Sequence, residues 1–297
     1  MNPAPIDLLQ FARLEESRQA RSVARIADEF EEIAGGTMCF GGVGSWANQA
    51  MGLGMDRPVS PDEIERLIAY YESRGVEPKV ELCPFAHESF VRGLAERGFV
   101  IRDFENVLAL DLSAWSAPPL PEGVQVRLVD PADEREVATY QSITRAGFAP
   151  AEPDLFARLE RRMIGLSGVR SYVAWIAGQP AAAGAGEVAP PCAALFGLTT
   201  LEPFRRRGCQ RALMIARLRA AQRRVADTPR STPVPTLRRD EMRCAWASRW
   251  HSPRPSSPAR GRGFRRRRRT PIAPWGNPAD ATMSRAHQID PEKVERC

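Results

Sequence analysis

Residues 195–222 read LFGLTTLEPFRRRGCQRALMIARLRAAQ. An apolar run suited to a buried strand ends at Thr199-Thr200-Leu201. The short turn Glu202-Pro203-Phe204 leads into Arg205-Arg206-Arg207-Gly208. A helix-forming run follows at once, with Leu213, Met214, Ile215, Ala216, Leu218 and Ala220. A strand, a basic glycine-containing turn and a helix together present unpaired backbone N–H groups to a phosphate. The first helical turn has N–H groups with no internal acceptor, and the helix dipole adds partial positive charge there.

Upstream of this stretch the elements follow in a regular order. Val124 to Val129 alternates as a strand does, and Asp130-Pro131 ends it. Helices are expected over 133–146 and 154–164, then strands over 170–176, 181–188 and 193–201. Ala177-Gly178-Gln179-Pro180 and Pro190-Pro191 supply the turns between those strands.

Arg205-x-x-Gly208-x-Gln210 resembles the R/Q-x-x-G-x-G/A signature of the GNAT acetyltransferases, with Gln210 standing where Gly or Ala is usual. The resemblance covers 124–222 through specific motifs. It implies a mixed α/β sheet flanked by helices that binds acetyl-CoA. Backbone groups of Leu198, Thr199 and Thr200 would pair with the pantetheine amides. N–H groups of Arg206, Gly208, Gln210 and Arg211 would hold the pyrophosphate, with Cys209 in the same loop. The side chains of Arg205, Arg206, Arg207 and Arg211 would add an attraction for phosphate that salt weakens. The implied activity is N-acetyl transfer to an amine, on a small molecule or a peptide. Glu187, on the third strand, is the carboxylate placed to take the amine proton, with Glu202 second. Cys209 itself reads as a small side chain filling space under the loop.

The first part of the chain resembles the same family more loosely. Asp7–Glu32 reads as a helix stopped by Gly35-Gly36, and Thr37–Val43 as a strand. Ser60-Pro61-Asp62-Glu63 is a capping box with proline at the first helical position. A strand at 79–82, a helix over 88–97 and a strand from Phe99 to Leu112 complete this half. It has no phosphate-loop signature, so residues 1–115 read as a degenerate GNAT-like half. Residues 113–121, SAWSAPPLP, form a linker.

The character of the chain changes after Gln222. Residues 223–297 hold 17 Arg and one Lys against seven Asp and Glu, a net charge of +11. The chain as a whole carries +6, so the remainder is at −5. The basic pI therefore belongs to the tail, and overall charge is no argument for nucleic-acid binding by the folded part. Prolines recur through Pro258 and Arg265–Arg269 is an unbroken basic run, so the tail reads as disordered, with no strand in it. The family resemblance requires a fifth strand here, and a Tyr to protonate the leaving thiolate. No Tyr follows Tyr172. The second half thus reads as incomplete, the chain as a poor catalyst, and a shift of reading frame near Arg223–Arg224 as the favoured cause. A natural basic extension and an independent domain are the other readings. In the former case the protein is a non-catalytic GNAT-like scaffold whose tail touches nucleic acid or a partner.

Composition closes off other classes. With 43% hydrophobic residues the chain can bury a core, and no apolar run is long enough to span a bilayer. The N-terminus has no basic-then-apolar leader pattern, so a cytoplasmic protein without membrane partners is expected. The six cysteines form no CxxC pair and the three histidines do not cluster with them, so no metal site is expected.

Overall fold

The computed structural model describes residues 7–113, 115–226, 236–239 and 247–251. Its helices are α1 (Leu8–Ala24), α2 (Pro61–Glu72), α3 (Glu88–Glu96), α4 (Glu134–Phe148), α5 (Pro153–Ile164) and α6 (Cys209–Ala226). The strands of the first half are β1 (Glu29–Ile33), β2 (Gly36–Phe40), β3 (Gln49–Met51), β4 (Lys79–Leu82), β5 (Val100–Glu105) and β6 (Val107–Leu110). Those of the second are β7 (Val124–Leu128), β8 (Val169–Ile176), β9 (Gln179–Ala189) and β10 (Cys192–Thr200), followed by β11 (Thr236–Arg239) and β12 (Ala247–His251). They make two mixed sheets, β1-β2-β3-β4-β12-β5 and β6-β11-β10-β9-β8-β7.

The second sheet is built around small side chains. In β9 the run Ala181–Gly186 is buried on both faces, which lets helices approach closely. One face packs Tyr172, Ala174 and Ile176 against Ala212 and Leu213 of α6. The other packs Val173, Ala183 and Ala185 against Val137, Tyr140 and Ile143 of α4 and Ile164 of α5. Strand alternation and helical spacing meet here, as the sequence requires. Gly184 and Gly186 open a slot on the α6 face. A Cβ on Gly184 would stand 3.1 Å from the Arg217 guanidinium, which lies in that slot and donates to the carbonyls of Ala185 and Phe196 at 3.0 and 3.3 Å.

The first sheet has α2 and α3 on one face, with Tyr71, Phe90 and Leu94 buried against Met38 and Val80. The capping box forms: Glu63 N–H donates to Ser60 Oγ at 3.2 Å, and Ser60 N–H to Glu63 Oε2 at 2.9 Å. On the other face α1 packs Ala20 and Val23 against Cys39 and Met51, and Leu159 of α5 joins this cluster.

Three expectations need correction. The first helix ends at Ala24, and residues 29–33 form a strand paired antiparallel with β2. The signal was mixed, because Phe30 fits a helical stripe and a strand alternation equally; in the fold its side chain is 53% exposed. Gly35 is a turn residue rather than a helix stop: Ala34 and Gly35 take φ of 49° and 82°, the left-handed pair of a tight hairpin. The expected strand over 99–112 divides at Asn106, and β5 and β6 enter different sheets. Finally, two short strands lie beyond Gln222. β11 runs parallel to β10, pairing Ala193–Leu195 with Thr236–Arg238, and β12 fills the space between β4 and β5. Segments of four and five residues are too short to display a period, and neighbouring edges supply their pairing. The rest of the 227–297 stretch, with Arg265–Arg269 and the expectations of disorder and nucleic-acid contact placed on it, lies outside the described residues.

Two adjacent glycines separate steric from conformational need. A Cβ on Gly36 would stand 2.3 Å from the Met51 carbonyl oxygen and 2.6 Å from Leu53 N, both backbone atoms. A Cβ on Gly35 would meet nothing within 4 Å. Gly36→Ala is expected to cost about 3 kcal/mol, and Gly35→Ala about 1 kcal/mol, from its left-handed φ alone. Chemical denaturation of the two variants measures the difference.

Candidate active site

Two features of the second sheet converge at one end of β10. The first is an opened edge. β11 pairs with residues 193–195 only, and among the described residues no strand pairs with Phe196–Thr200 on that side. On its other side β10 leaves register with β9 between Phe196 and Thr199, and Gly197 takes φ +63° within that bulge. Leu198 packs on the α6 face of the sheet. Thr199 lies under α4 so tightly that a Cβ on Gly147 would stand 1.8 Å from its Oγ1. Thr200 pairs with Ala182, and its carbonyl accepts from Arg205 Nε at 3.4 Å.

The second feature is the turn into α6. After the single 3-10 turn Glu202–Phe204, Arg206 takes φ +60° and Gly208 φ +82°. Backbone pairing stops at Arg205 N–H→Glu202 O and resumes at Ala212 N–H→Gly208 O. The N–H groups of 206–211 therefore have no backbone acceptor among the described residues. A Cβ on Gly208 would stand 2.8 Å from Pro121 Cβ, so the linker seats this turn from below. The linker is in turn tied to α6, by Arg219 to Pro118 O at 2.8 Å and by Gln222 to Leu112 O and Trp115 O at 2.9 and 2.8 Å. Arg205, Arg206, Arg207 and Gln210 are exposed and Arg211 is half-buried. Cys209 is buried, and burial pushes its thiol pKa up, away from thiolate chemistry. Glu202 is exposed.

A cavity of about 1070 Å³ opens beside the bulge, between α1, β3 and β5 of the first half and α4, α5, β9 and β10 of the second. Seven carboxylates line it, Glu15, Glu81, Asp103, Glu105, Glu152, Glu160 and Glu187, against the cations Arg18 and Lys79. Gln49, only 3% exposed, lines it with an Oε1 that accepts no hydrogen bond.

Glu187 is in this cavity, but in company the sequence does not announce. It is 4% exposed, and its Oε2 accepts from Arg18 at 2.9 Å and from the Ser22 hydroxyl, while Oε1 accepts from Arg25 at 3.3 Å. Arg18 also takes both oxygens of Glu15 at 2.6 Å. Burial alone would lower the Arg18 pKa; the two carboxylates more than offset it, and the pKa is raised. Glu187 thus joins the two halves of the fold.

Glu160 is the residue that sequence reading missed. It sits on α5, 6% exposed, in a local sequence that looks like a solvated helix face. Arg158 and Arg162 both bind Asp28, at 2.7–2.8 Å, and reach the Gly41 and Ile26 carbonyls. Hydrogen bonds from Arg158 first, against some burial, hold the Asp28 carboxyl below its usual range. With those residues and Leu159 clamped on the first half, Glu160 turns to the cavity. Its Oε2 accepts from Thr144 Oγ1 at 2.9 Å, and burial pushes its carboxyl up to about 7. Beside it is Tyr140, fully buried, whose hydroxyl lies 3.6 Å from the point a Cβ on Gly197 would occupy. Ser171 stands next to that hydroxyl without meeting hydrogen-bond geometry. Among the described residues no group of three His, Cys, Asp or Glu side chains is placed to hold a metal, and no helix is long and apolar enough to cross a membrane.

Comparison with solved structures gives this arrangement a context. A GCN5-related N-acetyltransferase from Kribbella flavida superposes with a TM-score of 0.60 at 17% identity, over 82% of this chain and 96% of that one. This chain has the GNAT fold. A tandem GNAT protein from the clavulanic acid biosynthesis pathway also aligns, with a TM-score of 0.49 at 15% identity, over 73% and 77% of the two chains. No protein-family model matches the sequence, and no curated protein matches it. At these identities the likeness is one of fold. The GNAT resemblance read from Arg205–Gln210 therefore agrees with the architecture around it.

Two measurements probe the cavity walls. Arg18→Met leaves Glu15 and Glu187 buried without their shared cation, and a loss of about 3–5 kcal/mol is expected. Glu187→Gln leaves Arg18 paired with Glu15 and should cost less; denaturant midpoints rank the two. For Glu160, the folded-state pKa is raised from 4.5 to about 7. The folded chain keeps a proton that the unfolded chain releases, so stability falls as pH rises from 4.5 to 7 and stays lower above it. Gln cannot ionise. Glu160→Gln should match the wild type below pH 4.5 and exceed it at pH 8 by on the order of 3 kcal/mol, read as a divergence of the two Tm–pH curves as pH rises.

Proposed function

We propose that the protein is an acetyl-CoA-dependent N-acetyltransferase whose acceptor is a cationic amine. The observation that carries this reading is the continuity of the open β10 edge with the turn at 206–211. The edge offers backbone partners for a pantetheine chain at Leu198, Thr199 and Thr200, as an added strand would use them. The turn offers N–H groups at Arg206, Gly208, Gln210 and Arg211 at the start of an 18-residue helix, the arrangement that suits a pyrophosphate. Gly208, at φ +82° and with Pro121 packed against it, lets the turn take this shape. Arg205, Arg206 and Arg207 surround it with positive charge. Acetyl-CoA would supply the activated acyl group, and this chain's residues would hold it with the thioester toward the bulge at Gly197.

The acceptor side follows from the cavity. An excess of carboxylates favours a positively charged guest, and a buried amide oxygen without a donor at Gln49 suits an ammonium N–H. Glu187, bound on both oxygens, is better placed to hold the cavity wall than to move a proton.

Calorimetric titration of acetyl-CoA into the full chain tests the donor site. Gly208→Asp should abolish binding, because it adds a like charge and a clash with Pro121. Replacing Arg205, Arg206 and Arg207 together by Ala should weaken binding about tenfold at low salt and flatten its salt dependence. Binding unchanged in both variants would sink the assignment.

A further inference from the structure

We propose that Glu160 is the general base that deprotonates the acceptor amine. The inference rests on the acetyltransferase reading and goes beyond the phosphate-loop resemblance, which gives α5 no role. Its warrant is geometric. Glu160 reaches the cavity from α5, next to Tyr140 and on the same side of the sheet as the β10 bulge. Among the described residues one oxygen accepts a single hydrogen bond, from Thr144, and Oε1 accepts none. That second oxygen is the group available to a guest. Glu187, the other deeply buried carboxylate of the second half, has both oxygens occupied.

The helix that carries Glu160 is held on both flanks. Arg158 and Arg162 grip Asp28, Leu159 is fully buried against α1 and its neighbours, and Gln141 of α4 donates to the Ala157 carbonyl at 2.7 Å. A base held this way keeps its aim between turnovers. Its charged and titratable surroundings come from both halves: Glu15, Lys79, Glu81, Asp103 and Glu105 line the cavity from the first. Tyr140 faces it from α4, with Arg217 of α6 beyond that ring; Glu187 and Arg18 line the cavity from β9 and α1, and Glu152 lines it from the loop before α5. Arg158 and Arg162 are committed to Asp28, and Arg161 to Glu134. None of these pairs with the Glu160 carboxylate. Burial then leaves it near neutrality, where a base both takes a proton from an ammonium and releases it to water.

Glu160 Oε1 takes one N–H proton from the ammonium of the acceptor. The freed lone pair forms the N–C bond to the acetyl carbon while the C–S bond breaks with its electron pair on sulfur. A second N–H proton goes to that sulfur, giving the amide and a free thiol, and Glu160 returns its proton to solvent.

The test uses the full chain with acetyl-CoA and the primary amines propylamine, putrescine and spermidine. In the wild type, a 13C-labelled glutamate carboxyl should titrate with a midpoint near pH 7, and the kcat profile should fall on its acidic side with the same midpoint. Glu160→Gln should remove that resonance, lower kcat by about 10²–10³-fold and abolish the acidic limb, with the Kd for acetyl-CoA unchanged. Glu160→Asp should restore part of the rate. A Glu160→Gln enzyme that keeps its rate or its acidic limb overturns the assignment of the base and leaves the acetyl-CoA reading standing. Absence of the near-neutral resonance overturns it as well. If the wild type does not bind acetyl-CoA, or binds it and acetylates none of the three amines, the functional reading fails and this one with it.

Discussion

The two halves of this fold meet across buried charge. Arg18 on α1 spans Glu15 of its own helix and Glu187 of β9, with all three side chains nearly removed from water. Such a cluster adds little net stability over an apolar contact, because desolvation consumes most of the attraction. What it adds is register. A guanidinium that must satisfy two carboxylates at once admits one placement of α1 on the second sheet. That placement sets the width of the cavity beneath β10. Arg158 and Arg162 on Asp28 repeat the arrangement nearer to solvent, so α5 is seated in the first half while it belongs to the second.

Glycine does the complementary work. Where charge fixes the spacing of the halves, missing side chains fix the spacing of layers within the second half. Gly184 and Gly186 admit Arg217 under the sheet, and its bonds to Ala185 and Phe196 steady the strand just before the bulge. Gly147 lets α4 rest directly on Thr199, and Gly208 lets Pro121 support the turn. Each contact sits within a few residues of the open edge of β10. The local weakening that glycine brings to a helix or strand is accepted where two backbones must approach.

Local signals were readable in the sequence; long-range ones were not. Ser60 and Glu63 announce their own helix start, because the capping box is a property of four consecutive residues. The turn Arg205–Gly208 is equally local, and with the element order from Val124 to Leu201 it carried the fold. Residues 29–33 were misread because five residues with one buried side chain suit two periodicities. The break at Asn106 went unseen because the apolar pattern runs across it. Arg18 reads as one charge among many on α1, and nothing adjacent tells that its partner lies 169 positions away. Glu160 is harder still. Within RLERRM it looks like a solvated helix face, and its meaning arises only when both neighbouring arginines are taken up by another part of the chain.

That last point gives Asp28 an unusual standing. It lies outside the cavity, half-open to solvent, on the turn between α1 and β1, and by position it would be counted as surface. Yet it is the anchor for two cations one turn apart on α5, and the opposite face of that helix is the one that carries Glu160 to the cavity. An acidic residue on an outer turn is thereby coupled to the aim of a buried one. Drift at that turn would be constrained as tightly as drift inside the cavity, and relatives that lose the aspartate should have changed Arg158 and Arg162 along with it.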